Sequence, residues 1–156
     1  MADPHVLIWN DILTNILADE SSYIIPDIDI EQAALPRERL EDLAAKPKVK
    51  VLIPSPGETE RLIRNKSSQT DYPIQIAIQQ KISPDDVATF KTLMELKGQI
   101  QNSCENDFVT SGFSFSWLRT EPLRDKNGLA YSYEDLYNKG VFSSIFTLFF
   151  RSIKTK

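Results

Sequence analysis

The chain has 156 residues, 41% of them hydrophobic and 26% charged, with a formal net charge of −4. That length supports one hydrophobic core, and an ordinary composition with only 5 Gly excludes collagen-like and low-complexity classes. The negative balance opposes free DNA binding, which needs surplus Lys and Arg to neutralise phosphates, and the single Cys104 excludes an intrachain disulfide framework and fits a reducing compartment.

Residues 1–20 carry Asp3, Asn10, Asp11, Asp19 and Glu20 and no basic start, so no secretory leader is read. No apolar run approaches the roughly 20 residues that span a bilayer. The longest, 141–150, is interrupted by Ser143, Ser144 and Thr147. The expectation is one soluble domain over 1–156, made in the cytoplasm, with no membrane partner.

Asp3 before Pro4 reads as a helix N-cap and first-turn proline. Trp9, Ile12, Leu13, Ile16 and Leu17 then fall on one helical stripe, with Asn10, Asp11 and Asn15 turned away. Residues 23–30 set Ile24, Ile28 and Ile30 against Asp27 and Asp29, and Pro26 demotes this strand to an edge or a bulge. A short helix is expected around 37–45. Val49, Val51 and Ile53 alternate with Lys48, Lys50 and Leu52 before Pro54 and Pro56 end that strand.

Residues 54–71 are mostly polar and are expected to form a long loop, a kind of segment that tends to be functional or disordered. Residues 72–81 give the clearest strand, with Ile74, Ile76 and Ile78 opposing Gln75, Ala77 and Gln79. Ser83, Pro84 and Asp86 resemble a capping box for a second helix, whose core face uses Val87, Phe90, Leu93, Met94 and Ile100. That helix is expected to fray near Asn102 to Asn106.

Phe113, Phe115 and Trp117 alternate with Ser114 and Ser116 as a strand with an aromatic face, and Asn127–Gly128 is the strongest hairpin-turn signal. Ser132 and Asp135 cap a short helix through Tyr137, closed by Gly140. In the last strand, 141–151, Phe142, Phe146, Leu148 and Phe150 fill one face and Val141, Ile145 and Phe149 the other. A strand apolar on both sides is either covered on both faces or half exposed for a partner. The fold class expected is α+β: a twisted, largely antiparallel sheet of about five strands, with two main helices on one face. The bare face then offers Ile145 and Phe149 to another chain.

Chemistry is weakly signalled. His5 is the only histidine and has no nucleophile in a recognisable context, so no catalytic residue is assigned and His5 reads as a surface residue. Cys104 sits beside Glu105 and not far from Asp107, which disfavours a reactive thiolate. One Cys and one His cannot supply a zinc site, and no Gly-rich loop cradles a phosphate, so no metal and no cofactor are expected. Pro26-Asp27 with Gln79-Gln80-Lys81 faintly matches a metal-dependent nuclease pattern, but Gln79 stands where a second carboxylate is needed. Asp27, Asp29 and Glu31 read as a solvated strand face rather than a calcium site. Tyr131, Tyr133, Tyr137 and Trp117 lack interleaved basic residues and read as core rather than base-stacking groups.

Two segments remain as contact elements. One is the loop with Glu58, Arg61, Arg64 and Lys66, suited to intersubunit ion pairs. The other is the basic tail 151–156 with Arg151 and Lys154.

The run Val49-Lys-Val-Leu-Ile-Pro54, Arg64, Tyr72-Pro-Ile-Gln-Ile-Ala-Ile-Gln-Gln-Lys81, the capped helix after Pro84 and the closing strand 141–151 together resemble the tail terminator or tail-completion proteins of long-tailed bacteriophages. The likeness covers residues 4–151, includes Pro26-Asp27-Ile28-Asp29-Ile30, and rests on strands and spacings without an invariant catalytic signature. The segment 124–133 looks longer than that family's connection. The resemblance implies a virion protein at the head-proximal end of the tail, forming a homo-oligomeric ring, commonly of six. Such a ring stacks on the tail-tube protein, meets the head-completion or connector protein, and lets DNA pass only as a transient in its channel. Two different patches per subunit are what ring closure requires. The alternatives from the residues alone are a generic intracellular protein-interaction module or a nuclease-like enzyme.

Overall fold

A computed structural model describes residues 4–25, 28–32, 47–52, 59–64, 67–106, 116–122, 124, 128–129 and 131–155, parts of the strands by backbone alone. The elements are α1 (Pro4–Asp19), β1 (Asp29–Gln32), β2 (Lys48–Leu52), β3 (Thr59–Arg64), β4 (Ser67–Lys81), α2 (Val87–Asn106), β5 (Ser116–Pro122), α3 (Tyr133–Lys139) and β6 (Val141–Thr155), with a 3-10 turn over Glu20–Ser22. No helix among the described residues is long and apolar enough to cross a membrane.

The strands form one open sheet in the order β1-β2-β4-β6-β5, and β3 also pairs with β4. The β1–β2 pair is parallel and every other pair antiparallel, so the fold is α+β with a mostly antiparallel sheet. β4 and β6, each of 15 residues, pair from Ser67↔Thr155 to Lys81↔Val141 without a slip. At about 3.3 Å per residue that ribbon is roughly 50 Å long. Because β6 occupies one side of β4 throughout, β2 and β3 must share the other, β2 against residues 75–79 and β3 against 67–71.

This arrangement corrects the expected loop over 54–71 and extends the last strand, expected to end at 151, into the basic tail. Residues 59–64, 67–71 and 151–155 are strand. Polar residues such as Ser67-Ser68-Gln69-Thr70 give no burial signal, but ladder hydrogen bonds do not need one. The helix expected around 37–45, Pro26, Asp27, Phe113, Phe115 and Asn127 lie outside the described residues.

Alternate residues of the central strands build the core. Tyr72, Ile74, Ile76 and Ile78 of β4 and Phe142, Phe146, Leu148 and Phe150 of β6 join Val49 and Val51 under both long helices. From α1 come Ile8, Ile12 and Ile16, spaced four residues apart on one stripe; from α2 come Leu93, Leu96, Ile100 and Cys104. Two sequence expectations need correction on α1. Leu17 is exposed rather than in the stripe, and Asp11 is buried rather than turned to solvent. The Trp9 indole N–H donates to the Val51 carbonyl at 2.7 Å, fixing α1 to the sheet.

Asp86 caps α2: its carboxylate accepts from the Thr89 backbone N–H at 3.1 Å and from the Thr89 hydroxyl at 2.6 Å. These two bonds, hydroxyl first, hold the Asp86 carboxyl below its ordinary value. α2 does not fray at its end as expected, because tertiary contacts hold it. Ser103 and Cys104 are buried, and the Tyr23 hydroxyl bonds Ser103 Oγ at 2.8 Å. Glu105 accepts from both Gln101 and Thr120.

α3 matches its sequence signals. Ser132 Oγ accepts from the Asp135 N–H, and Gly140 turns left-handed at φ 64° with its N–H on the Asp135 carbonyl. A side chain at Gly140 would also meet the Ile82 carbonyl at 3.1 Å.

Candidate assembly surfaces

Three surfaces stand out once the core is assigned. The first is a β arm. Among the described side chains, apolar burial ends at Tyr72 and Phe150, which face each other in register. Past that rung β4 and β6 continue with β3 as a three-stranded extension. At its root Arg151 Nε donates to Asp71 Oδ1 at 2.8 Å and Nη2 to Oδ2 at 3.1 Å, a bidentate clamp across one rung. The hydrogen bonds to Asp71 raise the Arg151 guanidinium above its already high ordinary value.

A bulge shapes the arm's edge. β3 pairs Arg61 with Gln69, Leu62 with Ser68 and Arg64 with Ser67, so Ile63 is the extra residue. Gln69 and Ser67 are two apart on β4, so positions 61 and 64 belong to the same face of the sheet. Without the bulge, a spacing of three would put them on opposite faces.

The second surface is the face of the sheet opposite α1 and α2. The sequence reading made it a bare apolar stripe, and this is corrected. Val141 is 4% and Ile145 7% exposed, and Ile145 forms a small cluster of its own with Ala77. Phe149 is half-buried, with the Arg119 guanidinium 4.1 Å from its ring centroid and Arg119 in turn paired to Glu121 at 2.8 Å. Lys50, Gln79 and Ser143 are buried on this face too. Gln79 Nε2 donates to Ser143 Oγ at 3.4 Å, and its Oε1 accepts nothing among the described residues.

The third surface was missed. Tyr131 lies against the core with its ring edge-on to Phe90, as expected. Tyr133 and Tyr137, read from sequence as core, are 45% and 66% exposed and stacked at 5.7 Å with planes 7° apart. The signal was available, because i and i+4 on a short helix share one face. Asp135, buried on the opposite side of the helix, marks that face as the outer one.

No protein-family model matches this chain. No curated protein matches it either.

The predicted contact residues are therefore scattered rather than gathered. Glu58 and Lys66 lie outside the described residues, whereas Arg61 and Arg64 sit on β3 at the arm's edge. Lys154 is a rung of β6 opposite Ser68. Arg151 is committed to Asp71, Ile145 is buried, and Phe149 is covered in part by Arg119, so these three form no open stripe. Among the described residues no three of His, Cys, Asp and Glu converge to hold a metal. The nuclease-like pattern has its second carboxylate position at a buried amide, Gln79, which supplies no charge to a divalent cation. Among the described residues, the features left outside the core are the edges of β1 and β3, the strand extension past Tyr72 and Phe150, and a pair of stacked phenols.

Proposed function

We propose that this chain is a structural assembly protein of the tail-terminator or tail-completion kind, a ring-forming subunit that caps a tail tube and presents a surface to head-completion proteins. The observation that carries the reading is the β arm. Beyond the Tyr72–Phe150 rung β4 and β6 run on with β3 beside them, and a strand extension of that type serves to reach another chain. A subunit in a closed ring needs two unlike patches. The arm and the exposed Tyr133/Tyr137 pair supply them, because tyrosines of this kind serve as anchors at protein contacts. In this reading two main helices back one side of the sheet, and contact is made through edges, arm and α3 rather than through the Ile145 face.

The test is electron microscopy of the purified protein mixed with polymerising tail tubes. The reading expects a cap of density at one tube end and an arrest of elongation at stoichiometric amounts. Tubes that elongate unchanged, with no added density, would remove it. A generic interaction module is the second class, and it is favoured if the chain ignores tubes yet assembles with another protein.

A further inference from the structure

The two open strands on the β2/β3 side of the sheet have opposite charge. β1 carries Asp29 and Glu31, and the register places them on the same face as Lys48 and Lys50, and hence as Gln79 and Ala77 of β4. β3 carries Arg61 and Arg64, on the same face as Gln69 and Ser67 of β4. All four β4 residues are odd-numbered in an unbroken ladder, so both charged pairs belong to one face of one sheet. The spacing matches as well. Asp29 and Glu31 are two rungs apart, and the bulge makes Arg61 and Arg64 two rungs apart.

Outline and direction agree with charge. β1 stands two strands out from β4 at one half of the ribbon, and β3 stands one strand out at the other half. Among the described residues, this side of the sheet is therefore a step. β1 is parallel to β2, and both β2 and β3 are antiparallel to β4, so β1 and β3 run the same way. A half-turn about an axis perpendicular to the sheet keeps each face, reverses each strand and fits one step into the other. β1 of one copy then meets β3 of the second in antiparallel register, and the reverse contact closes at the same time.

The opposite side is blunted against such pairing. β5 has a register shift at Trp117/Arg119, the charged residues Arg119 and Glu121, and Pro122. Among the described strands β1 pairs only with β2 and β3 only with β4.

We infer that the chain forms a two-fold symmetric pair with a second copy of itself, by strand addition of β1 of each copy to β3 of the other, with Asp29 and Glu31 set against Arg61 and Arg64. The contact is isologous and closes at two copies. On the face that carries Asp29, Glu31, Arg61 and Arg64, its cross-strand pairs join opposite charges. It draws on the β3 edge of the arm that the tail-terminator reading gives to ring contact, so a subunit in this pair does not offer that edge to a ring neighbour.

The test uses the full chain in sedimentation equilibrium at low salt, with circular dichroism to verify folding. The wild-type chain is expected to dimerise, and more weakly as salt rises. Arg61→Glu/Arg64→Glu, on β3 of the arm, is expected to weaken the dimer by roughly thirtyfold or more, because four charged rungs become repulsive. Asp29→Lys/Glu31→Lys is expected to do the same. The decisive arm mixes the two variants: each is monomeric alone, and together they form a one-to-one pair, because both ladders again join unlike charges. If Asp29→Lys/Glu31→Lys loses its folded spectrum, the dimer constant of the Arg61→Glu/Arg64→Glu chain alone decides. A wild-type monomer at high micromolar concentration, a reversed-charge chain that dimerises undiminished, or folded variants that fail to pair when mixed would each overturn the inference. A chain that is monomeric yet still caps tubes removes the pair and leaves the ring.

Discussion

Truncating Ile145 to Ala measures directly whether the face opposite the helices is open. Ile145 is 7% exposed and packs against Ala77 across the ladder. Were the face bare, the change would stay within about ±0.5 kcal/mol, as surface substitutions do. Burial predicts more. Ile→Ala in a core costs about 2–5 kcal/mol, and a small cluster flanked by polar Gln79 and Ser143 belongs at the low end, so about 2–3 kcal/mol is expected. For a chain of this size each kcal/mol lowers Tm by about 2–4 °C, giving a fall of roughly 4–12 °C. Urea denaturation followed by circular dichroism provides the free energy, and an unchanged m-value shows that the denatured state is the same. A loss below 0.5 kcal/mol with the same m would refute the covered-face argument and return Ile145 to the surface.

Three further outcomes follow from single contacts. Tyr23→Phe removes the hydroxyl on Ser103, while Ser103 keeps its bond to the Gln99 carbonyl, so urea unfolding is expected to lose about 1 kcal/mol with the fold intact. A double-mutant cycle on Asp71→Asn and Arg151→Lys is expected to show coupling of about 1 kcal/mol, the modest value of a part-buried bidentate pair; additive effects would mean the clamp does not act as one. Asp86 has its carboxyl lowered from 3.8 by Thr89, so the stabilisation is present above that value and drains away as pH falls through the folded titration point. In carbon-detected NMR the Asp86 midpoint should lie below 3.8, and Thr89→Ala should move it back upward.

Periodicity exposed the parts of this fold that burial controls. Ile74, Ile76 and Ile78 announced the central strand, and Ser132 with Gly140 announced both ends of α3. It could not expose what pairing alone controls. Ser67 to Thr70 and Thr59 to Arg64 have no apolar alternation, and their strands exist because β6 and β4 supply ladders beside them. The short α3 stripe was misread for a related reason: tyrosine is apolar enough to count as core, whereas the side of α3 turned inward carries the polar Asp135, which gives no apolar signal. Asp11 shows the converse error, since a carboxylate can be buried where a partner meets it. The bulge at Ile63, which aligns Arg61 with Arg64, has no signature in the residues themselves.

The central ribbon also dictates the order in which the molecule can be made. Ser67 pairs with Thr155 and Lys81 with Val141, so the isoleucine-rich strand leaves the ribosome long before its main neighbour exists. Until then Ile74, Ile76 and Ile78 have no sheet mate on that side, and the nascent chain is at its most aggregation-prone. Closing so distant a pair is slow, and the finished sheet should appear in a single late zippering event rather than strand by strand.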